Sequence, residues 1–385
     1  MFDSTALRPS RAVKLSAYAT LAVWCLIAAF PIFWITAMSL KAPIDAFSSN
    51  PFAVILGFET RDIGIGLSVV DLLWIVLALW LAWRGATRWM ARMVEGLAPM
   101  TGRLPAWSLA VLAYVLCVGL AAVVVLPLMI LHLDSWMGPL GAPVMGVTGE
   151  HYASVWVEFE FYRNFLNSMM ITAGVVTISL SVGTLAGFGL ARCRARVAFW
   201  ILIAALVFRA LPHSVLVAGY LPAFINSADI LEPILGDAAP TLYGMPLPVI
   251  FVLVAINQPF TIWLLRSFFA NIPAELDEAA RVDGCSYLQA FRLVIVPVMW
   301  PGVITAGLFS FLLGYNDYLV TSLLLDASNQ TMVPAIASYF NRETTTTDQV
   351  EAVAAAVSIT APLFVLVMVF QKQIVSGLTA GAVKG

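Results

Sequence analysis

The sequence predicts an all-α, polytopic transmembrane helical bundle of about eight spans. Three observations carry that expectation. Hydrophobic residues make up 61% of the 385 residues and charged ones only 11%, where a soluble domain carries about a quarter charged residues. The apolar runs are long and continuous, many reaching the ~20 residues that a helix needs to cross ~30 Å of hydrocarbon, rather than the alternating ten-residue segments of a barrel. Basic residues also gather on alternate connections, as they do in membrane proteins.

The spans follow in order. Arg8, Arg11 and Lys14 precede an apolar run from Leu15 to about Leu40. That run exceeds the ~7–15 residues of a signal-peptide core and reads as an uncleaved first span. The next two runs, Ile63–Trp83 and Trp107–Leu133, flank the basic segment Arg84–Arg103. Five more follow at about Phe165–Leu190, Val197–Pro222, Leu247–Ala270, Pro301–Leu325 and Ala352–Phe370. Between them, residues 134–160 and 223–247 carry acids and almost no basic residue, and GPLGAPVMGVTG at 138–149 reads as an irregular loop.

With the N-terminus inside, 15 of the 20 Lys and Arg residues fall on cytoplasmic segments. Only Lys41, Arg61, Arg163 and Arg342 fall outside, and Arg209 lies within a span. Both termini are therefore expected in the cytoplasm. The near-neutral balance of 20 basic and 22 acidic residues excludes a nucleic-acid binder and an acidic disordered chain. Four scattered cysteines and three histidines show no CxxC or HExxH spacing, so no metal, cofactor or catalytic residue is expected.

The connection Asn271–Trp300 is more than a loop. Pro273 suits a helix start, and AELDEAARV is built of helix formers. Gly284 breaks that helix, and SYLQAFRLVIV resumes it before Pro297 and Pro301. In the first piece Leu276, Ala279, Ala280 and Val282 are expected to face the membrane domain, with Glu275, Asp277, Glu278, Arg281 and Asp283 polar. An acidic amphipathic hairpin suits docking to a protein better than lying on an anionic inner leaflet.

Glu278, Ala279, Ala280, Gly284, Val294, Val296 and Pro297 spell E-A-A-x3-G-x9-hydrophobic-x-hydrophobic-P. This closely resembles the EAA loop of binding-protein-dependent ABC importer permeases, with valines where the family usually has Ile and Leu. NFLNS (Asn164–Ser168), followed by TLAGFGLAR (Thr184–Arg192), looks like the span preceding the family's core. YNDYL (Tyr315–Leu319) sits where sugar permeases often have W-N-D/E-x-x, and the tail GLTAGAVKG (Gly377–Gly385) is similar to the C-terminus of the maltose-type inner-membrane subunit. The resemblance covers Asn164–Gly385 well and Leu15–Lys41 passably. It implies a six-span importer permease core plus an inserted helical pair. The domains are then residues 1–60 (tail, first helix and outer loop), 61–133 (inserted pair), 134–163 (extracytoplasmic loop) and 164–385 (core with the loop 271–300). A similar enlargement occurs in permeases resembling α-glucoside transporters.

The resemblance further implies a multi-pass protein of the bacterial inner membrane, working with a second permease subunit, two ATP-binding subunits and a soluble substrate-binding protein. Glu278 would contact the ATPase, Ala279 and Ala280 would allow close approach, and Gly284 would allow the bend. Asp283, Phe291 and Pro297 complete the ATPase-coupling set, and the tail residues Thr379, Gly381 and Lys384 would reach toward the ATPase. The chain has no GxxxxGK[ST] phosphate loop and so does not supply ATP hydrolysis itself.

Polar residues inside apolar runs are candidates for the substrate path: Arg209 and His213, expected one turn apart on one helix, with Asn257, Gln258, Asn316 and Asp317. Each has a plainer role open to it, as a helix-to-helix hydrogen bond. The function expected is sugar translocation, with an α-glucoside or other oligosaccharide as the class. A permease for a non-sugar solute stays open. An ion-coupled secondary transporter would need paired intramembrane carboxylates, and Asp317 is the one mid-membrane acid available.

Overall fold

The computed structural model describes residues 11–101, 141–341 and 345–380, with a few positions between 109 and 117. The chain divides into two compact units, Met1–Tyr152 with Thr344–Ala354, and Ala153–Glu343 with Ala355–Gly385.

In the first unit, α1 (Arg11–Ser39) buries only its last residue, Ser39. Its exposed faces carry Leu, Ile, Val, Trp and Phe, the composition of a lipid-facing span. Short turns follow at Pro43–Ala46, Pro51–Leu56 and Thr60–Ile63. Strand β1 (Ile65–Leu67) pairs antiparallel with β2 (Met145–Val147), placing Gly66 opposite Gly146. A Cβ at Gly146 would stand 2.2 Å from the Arg61 backbone nitrogen, so this crossing needs glycine. Helix α2 (Val69–Thr101) then starts on a reciprocal cap in which the Ser68 N–H donates to the Asp71 carboxylate at 2.9 Å and the Asp71 N–H donates back to the Ser68 hydroxyl at 3.2 Å.

Three expectations change here. The run Ile63–Trp83 is a helical turn, a strand and then helix, because Gly64 and Gly66 interrupt it, and its apolar helical stretch is Val69–Ala82. The basic segment after Trp83 continues as helix to Thr101 instead of looping, and Met145–Val147, read as irregular, is a strand. The expected span Trp107–Leu133 lies outside the described residues apart from isolated positions.

A buried polar cluster organises the same unit. The Asp45 carboxylate accepts from both the Thr60 N–H and hydroxyl at 2.7 Å. His151 Nε2 lies 3.0 Å from the Lys41 carbonyl, and the Lys41 ammonium donates to the Gly146 carbonyl. Burial pushes the Lys41 amine down to about 8, with nearby Asp45 opposing the shift.

Among its described residues the second unit is mostly helix. It contains α3 (Phe161–Arg192), α4 (Ala195–Arg209), α5 (His213–Ile225), α6 (Pro246–Phe269), α7 (Glu275–Val282), α8 (Tyr287–Tyr315), α9 (Leu319–Leu324) and α10 (Met332–Asn341). The last helix, α11 (Thr346–Ala380), begins in the first unit's share of the chain and continues into this one. Among the described residues five helices are long and apolar enough to span, or six if the bent pair α4–α5 is one span.

Small residues let α3, α6 and α8 approach closely. A Cβ at Gly183 would stand 2.7 Å from Thr261 Cγ2, and one at Gly187 would stand 3.0 Å from the Arg266 backbone nitrogen. The Gly183–Gly187 pair is thus a close helix contact. Ile171, Val175, Val252 and Ile256 build one apolar core of this unit, and Leu265, Phe269, Ile295 and Met299 build another.

Two spans differ from their hydropathy outlines. The run Val197–Pro222 is broken: α4 ends at Arg209, α5 starts at His213, and their axes meet at 82°. Pro212 disfavours helical backbone in the residue before it, which stops α4. The run expected at Pro301–Leu325 instead lies in a helix that starts at Tyr287 and ends at Tyr315, with α9 separate. A π-turn at Phe291–Ile295 leads into Val296–Tyr315, so Pro297 and Pro301 sit inside helix. Pro297 falls at the start of that segment, and the Thr305 hydroxyl donates at 2.9 Å to the Pro301 carbonyl.

Candidate functional site

The segment Glu275–Tyr287 is a closed hairpin. Its first helix, α7, has Glu275, Asp277 and Glu278 in the first turn and Arg281 in the last, signs that complement the helix dipole. It ends in a complete Schellman motif: the Cys285 N–H donates to the Ala280 carbonyl at 3.0 Å and the Gly284 N–H to the Arg281 carbonyl at 3.1 Å. Gly284 takes φ +91 to make that turn. Ser286 then caps the next helix through a capping box with Gln289, and the Arg281 guanidinium lies 4.2 Å from the Tyr287 ring centroid.

The inner face of α7 is not the one expected. Of Leu276, Ala279, Ala280 and Val282, only Ala280 is buried, and Val282 is 87% exposed. Asp277, read as polar surface, turns inward, because Arg192 at the end of α3 reaches its carboxylate at 2.5 Å. Beneath the hairpin is a pocket of about 280 Å³ lined by Phe188, Arg192, Asp277, Glu278 and Arg281. Val282, Tyr287 and Leu288 point outward as an exposed apolar rim beside the acidic Glu278.

A second pocket, of about 190 Å³, opens at the α4–α5 break. Arg209, His213, Tyr220 and Pro259 line it. The Arg209 guanidinium lies 4.9 Å from the Phe260 ring centroid, a cation–π distance. Arg209 and His213 therefore share a pocket from two different helices and do not sit on one helical face.

Residues 152–379 match the family described as binding-protein-dependent transport system inner membrane component. The chain belongs to that family. It is a multi-pass inner-membrane permease. It is similar to the diacetylchitobiose uptake system permease protein DasC of Streptomyces coelicolor, 32% identical over 241 residues, which is 62% of this chain and 82% of that one. It is also similar to the trehalose transport system permease protein SugB of Mycobacterium tuberculosis, 33% identical over 242 residues, 62% and 83% of the two chains. A solved bacterial ABC transporter involved in the import of the acidic polysaccharide alginate has the same fold, with a TM-score of 0.55, 16% identity and coverage of 97% of this chain and 98% of that one.

The other residues singled out in this permease from its sequence lie as follows. Asn257 is buried, and its amide donates to the Ser310 hydroxyl at 2.7 Å, joining α6 to α8. The Gln258 amide donates to the Ser179 carbonyl of α3 at 3.4 Å. Asn316 follows the end of α8 and donates to the Leu312 carbonyl at 3.1 Å. The Asp317 carboxylate accepts the Thr321 N–H at 2.9 Å, within the first turn of α9, and it forms no ion pair with Arg209. Ala279 and Asp283 lie on the exposed side of the hairpin, Phe291 packs 5.0 Å from Phe188, and Pro297 lies in α8. Thr379 falls in α11, while Gly381 and Lys384 lie outside the described residues. The contact between Arg192 and Asp277 escaped the sequence reading. The pairing of the last Arg of TLAGFGLAR with the Asp just before EAA has no signal in either motif alone.

Proposed function

We propose that this chain is one of the two permease subunits of an ATP-driven ABC importer for a sugar, which a soluble binding protein delivers to the outer face. The observation that carries the reading is the Glu275–Tyr287 hairpin, with its Schellman turn at Gly284 and its exposed rim of Glu278, Val282, Tyr287 and Leu288. A short rigid knob with exposed acids and several apolar groups suits insertion into a cleft of an ATPase subunit. Two ATPase subunits and a second permease complete the assembly, and ATP hydrolysis belongs to the ATPases. The sugar class is supported by the relatives, whose names specify diacetylchitobiose and trehalose uptake; an α-glucoside or other oligosaccharide fits that class. Both termini lie in the cytoplasm, as the distribution of basic residues supports. Arg209 and His213 offer hydrogen-bond donors to sugar hydroxyls beside the aromatic faces of Tyr220 and Phe260. Asn257 and Gln258 hold the helices behind that pocket.

The test is uptake by the full complex in proteoliposomes, with trehalose, maltose and diacetylchitobiose offered to the cognate binding protein. ATP-dependent uptake of one of them, abolished by Glu278→Lys in a protein that still inserts, is expected. Uptake that follows an ion gradient without ATP, or of a non-sugar solute alone, would overturn the reading.

A further inference from the structure

Two ion pairs, Arg61–Asp62 and Arg163–Glu160, close on sequence neighbours. Arg192–Asp277 is different in kind: it joins the last residue of α3 to the hairpin, 85 positions away in the chain. The Arg192 Nε donates to the Asp277 carboxylate at 2.5 Å, and its Nη1 donates to the Ile272 carbonyl at 3.1 Å. The same guanidinium lies 5.6 Å from the Phe188 ring centroid, and Phe188 packs against Phe269 at 5.5 Å and Phe291 at 5.0 Å. The entry to the hairpin, its first helix and its exit are thus all gripped by the final turns of α3.

The other end of α3 is gripped too. The side-chain amides of Asn164 and Asn167 donate to the Gln330 carbonyl at 2.9 and 3.3 Å, and the Ser168 hydroxyl accepts the Met332 N–H at 2.9 Å. The whole of α3 runs 32 residues with no proline, about 48 Å of unbroken helix with a clasp near each end. Arg192 Nη2 and Asp277 Oδ1 have no hydrogen-bond partner among the described residues. The pair is therefore held through one N–O contact, which lets it pivot, where a bidentate fork would fix it.

We infer that α3 is a transmission rod between the hairpin and the segment Gln330–Met332, and that Arg192 is the positioning residue that couples the hairpin's motion to it. This rests on the reading of the hairpin as the ATPase contact. When an ATPase cleft moves α7, the Asp277 carboxylate pulls Arg192 and with it the whole of α3. The far clasp carries the displacement to the opposite end of the bundle. A merely structural Arg192 would hold the hairpin in place for assembly and have no bearing on communication between the two ends.

The experiment uses the full complex in proteoliposomes, with uptake, ATPase content and stimulation of ATP hydrolysis by sugar-loaded binding protein measured together. Arg192→Gln should keep the ATPase bound while stimulation and uptake fall together, on the order of tenfold. Arg192→Lys, which keeps the charge but cannot reach both acceptors, should recover part of the loss. The swap Arg192→Asp with Asp277→Arg should also recover part. If the swap fails to fold, the lysine variant decides. Unchanged uptake in Arg192→Gln, or a loss that merely follows loss of bound ATPase, overturns the rod; so does a lysine variant no better than glutamine. Absence of the ATPase from the unaltered complex overturns the functional reading and the rod with it.

Discussion

Replacing Gly284 should weaken coupling in proportion to how poorly the new residue tolerates positive φ. The residue stands at φ +91, and a Cβ built on it meets nothing within 4 Å. The cost of a side chain is therefore backbone strain alone, with no clash added. Holding an L-residue in the left-handed region costs about 1–2 kcal/mol, which shifts a two-state equilibrium by about 5- to 30-fold. The state that gains is one in which the Schellman bonds to Ala280 and Arg281 are broken and α7 swings away from Ser286. Asn visits positive φ most readily among side-chain-bearing residues, and β-branched residues least. Uptake should fall in the order Gly284→Asn, Gly284→Ala, Gly284→Val, while the yield of inserted protein stays level. Proteoliposome uptake alongside co-purification of the ATPase measures both. Equal uptake across the three variants would refute the reasoning, as would a ranking that puts Val at or above Asn.

Three further outcomes are expected. Gly187→Val forces methyl groups onto the Arg266 backbone and the Leu265 side chain, so folded yield should drop sharply, whereas substituting Gly189, which has open space around it, should leave yield unchanged. Arg209→Leu should lower uptake while ATPase binding stays intact; normal transport in that variant would leave the guanidinium a surface role over Phe260. In a background stripped of native cysteines, single cysteines at Arg92 and Gly141 should label from opposite faces of the membrane, and labelling from one face would remove the proposed orientation.

The spans α1, α3 and α6 were legible because a helix in hydrocarbon must be apolar over its whole length, and their ends fall where charges or prolines begin. The break at Ala210–Pro212 was not legible: long apolar stretches lie on both sides of it, so Arg209, Pro212 and His213 read as isolated positions inside one span. The end of α8 at Tyr315 was hidden in the same way, since Asn316 and Asp317 read as polar positions within a stretch that turns apolar again in α9. The strands β1 and β2 are three residues each and far apart in sequence, too short for a period of two to register. In the hairpin, the Gly284 turn was readable from composition. The inward face was not, since Asp277 faces the membrane domain only because a partner from another helix meets it. Amphipathic reasoning counts residue types on a wheel and cannot see that partner.

The π-turn at Phe291–Ile295 has a bearing on how such proteins can be recombined. It inserts one extra residue into an otherwise continuous helix, and one residue is about 100° of rotation about the axis. The side chains of Tyr287–Ala290 are therefore out of phase with those of Val296–Tyr315, and the offset determines which way the hairpin's outer rim looks relative to the span beneath it. A chimaera that grafts a foreign hairpin onto this chain and ends the graft at Ala290 keeps the native phase. A junction within Phe291–Ile295, with a donor whose helix is regular there, would turn the rim by roughly a quarter-circle or more. Every residue of the donated knob could then be correct and still face the wrong direction. For grafting between permeases, the interchangeable module accordingly runs from Asn271 through Ala290, with the π-turn at Phe291–Ile295 left native.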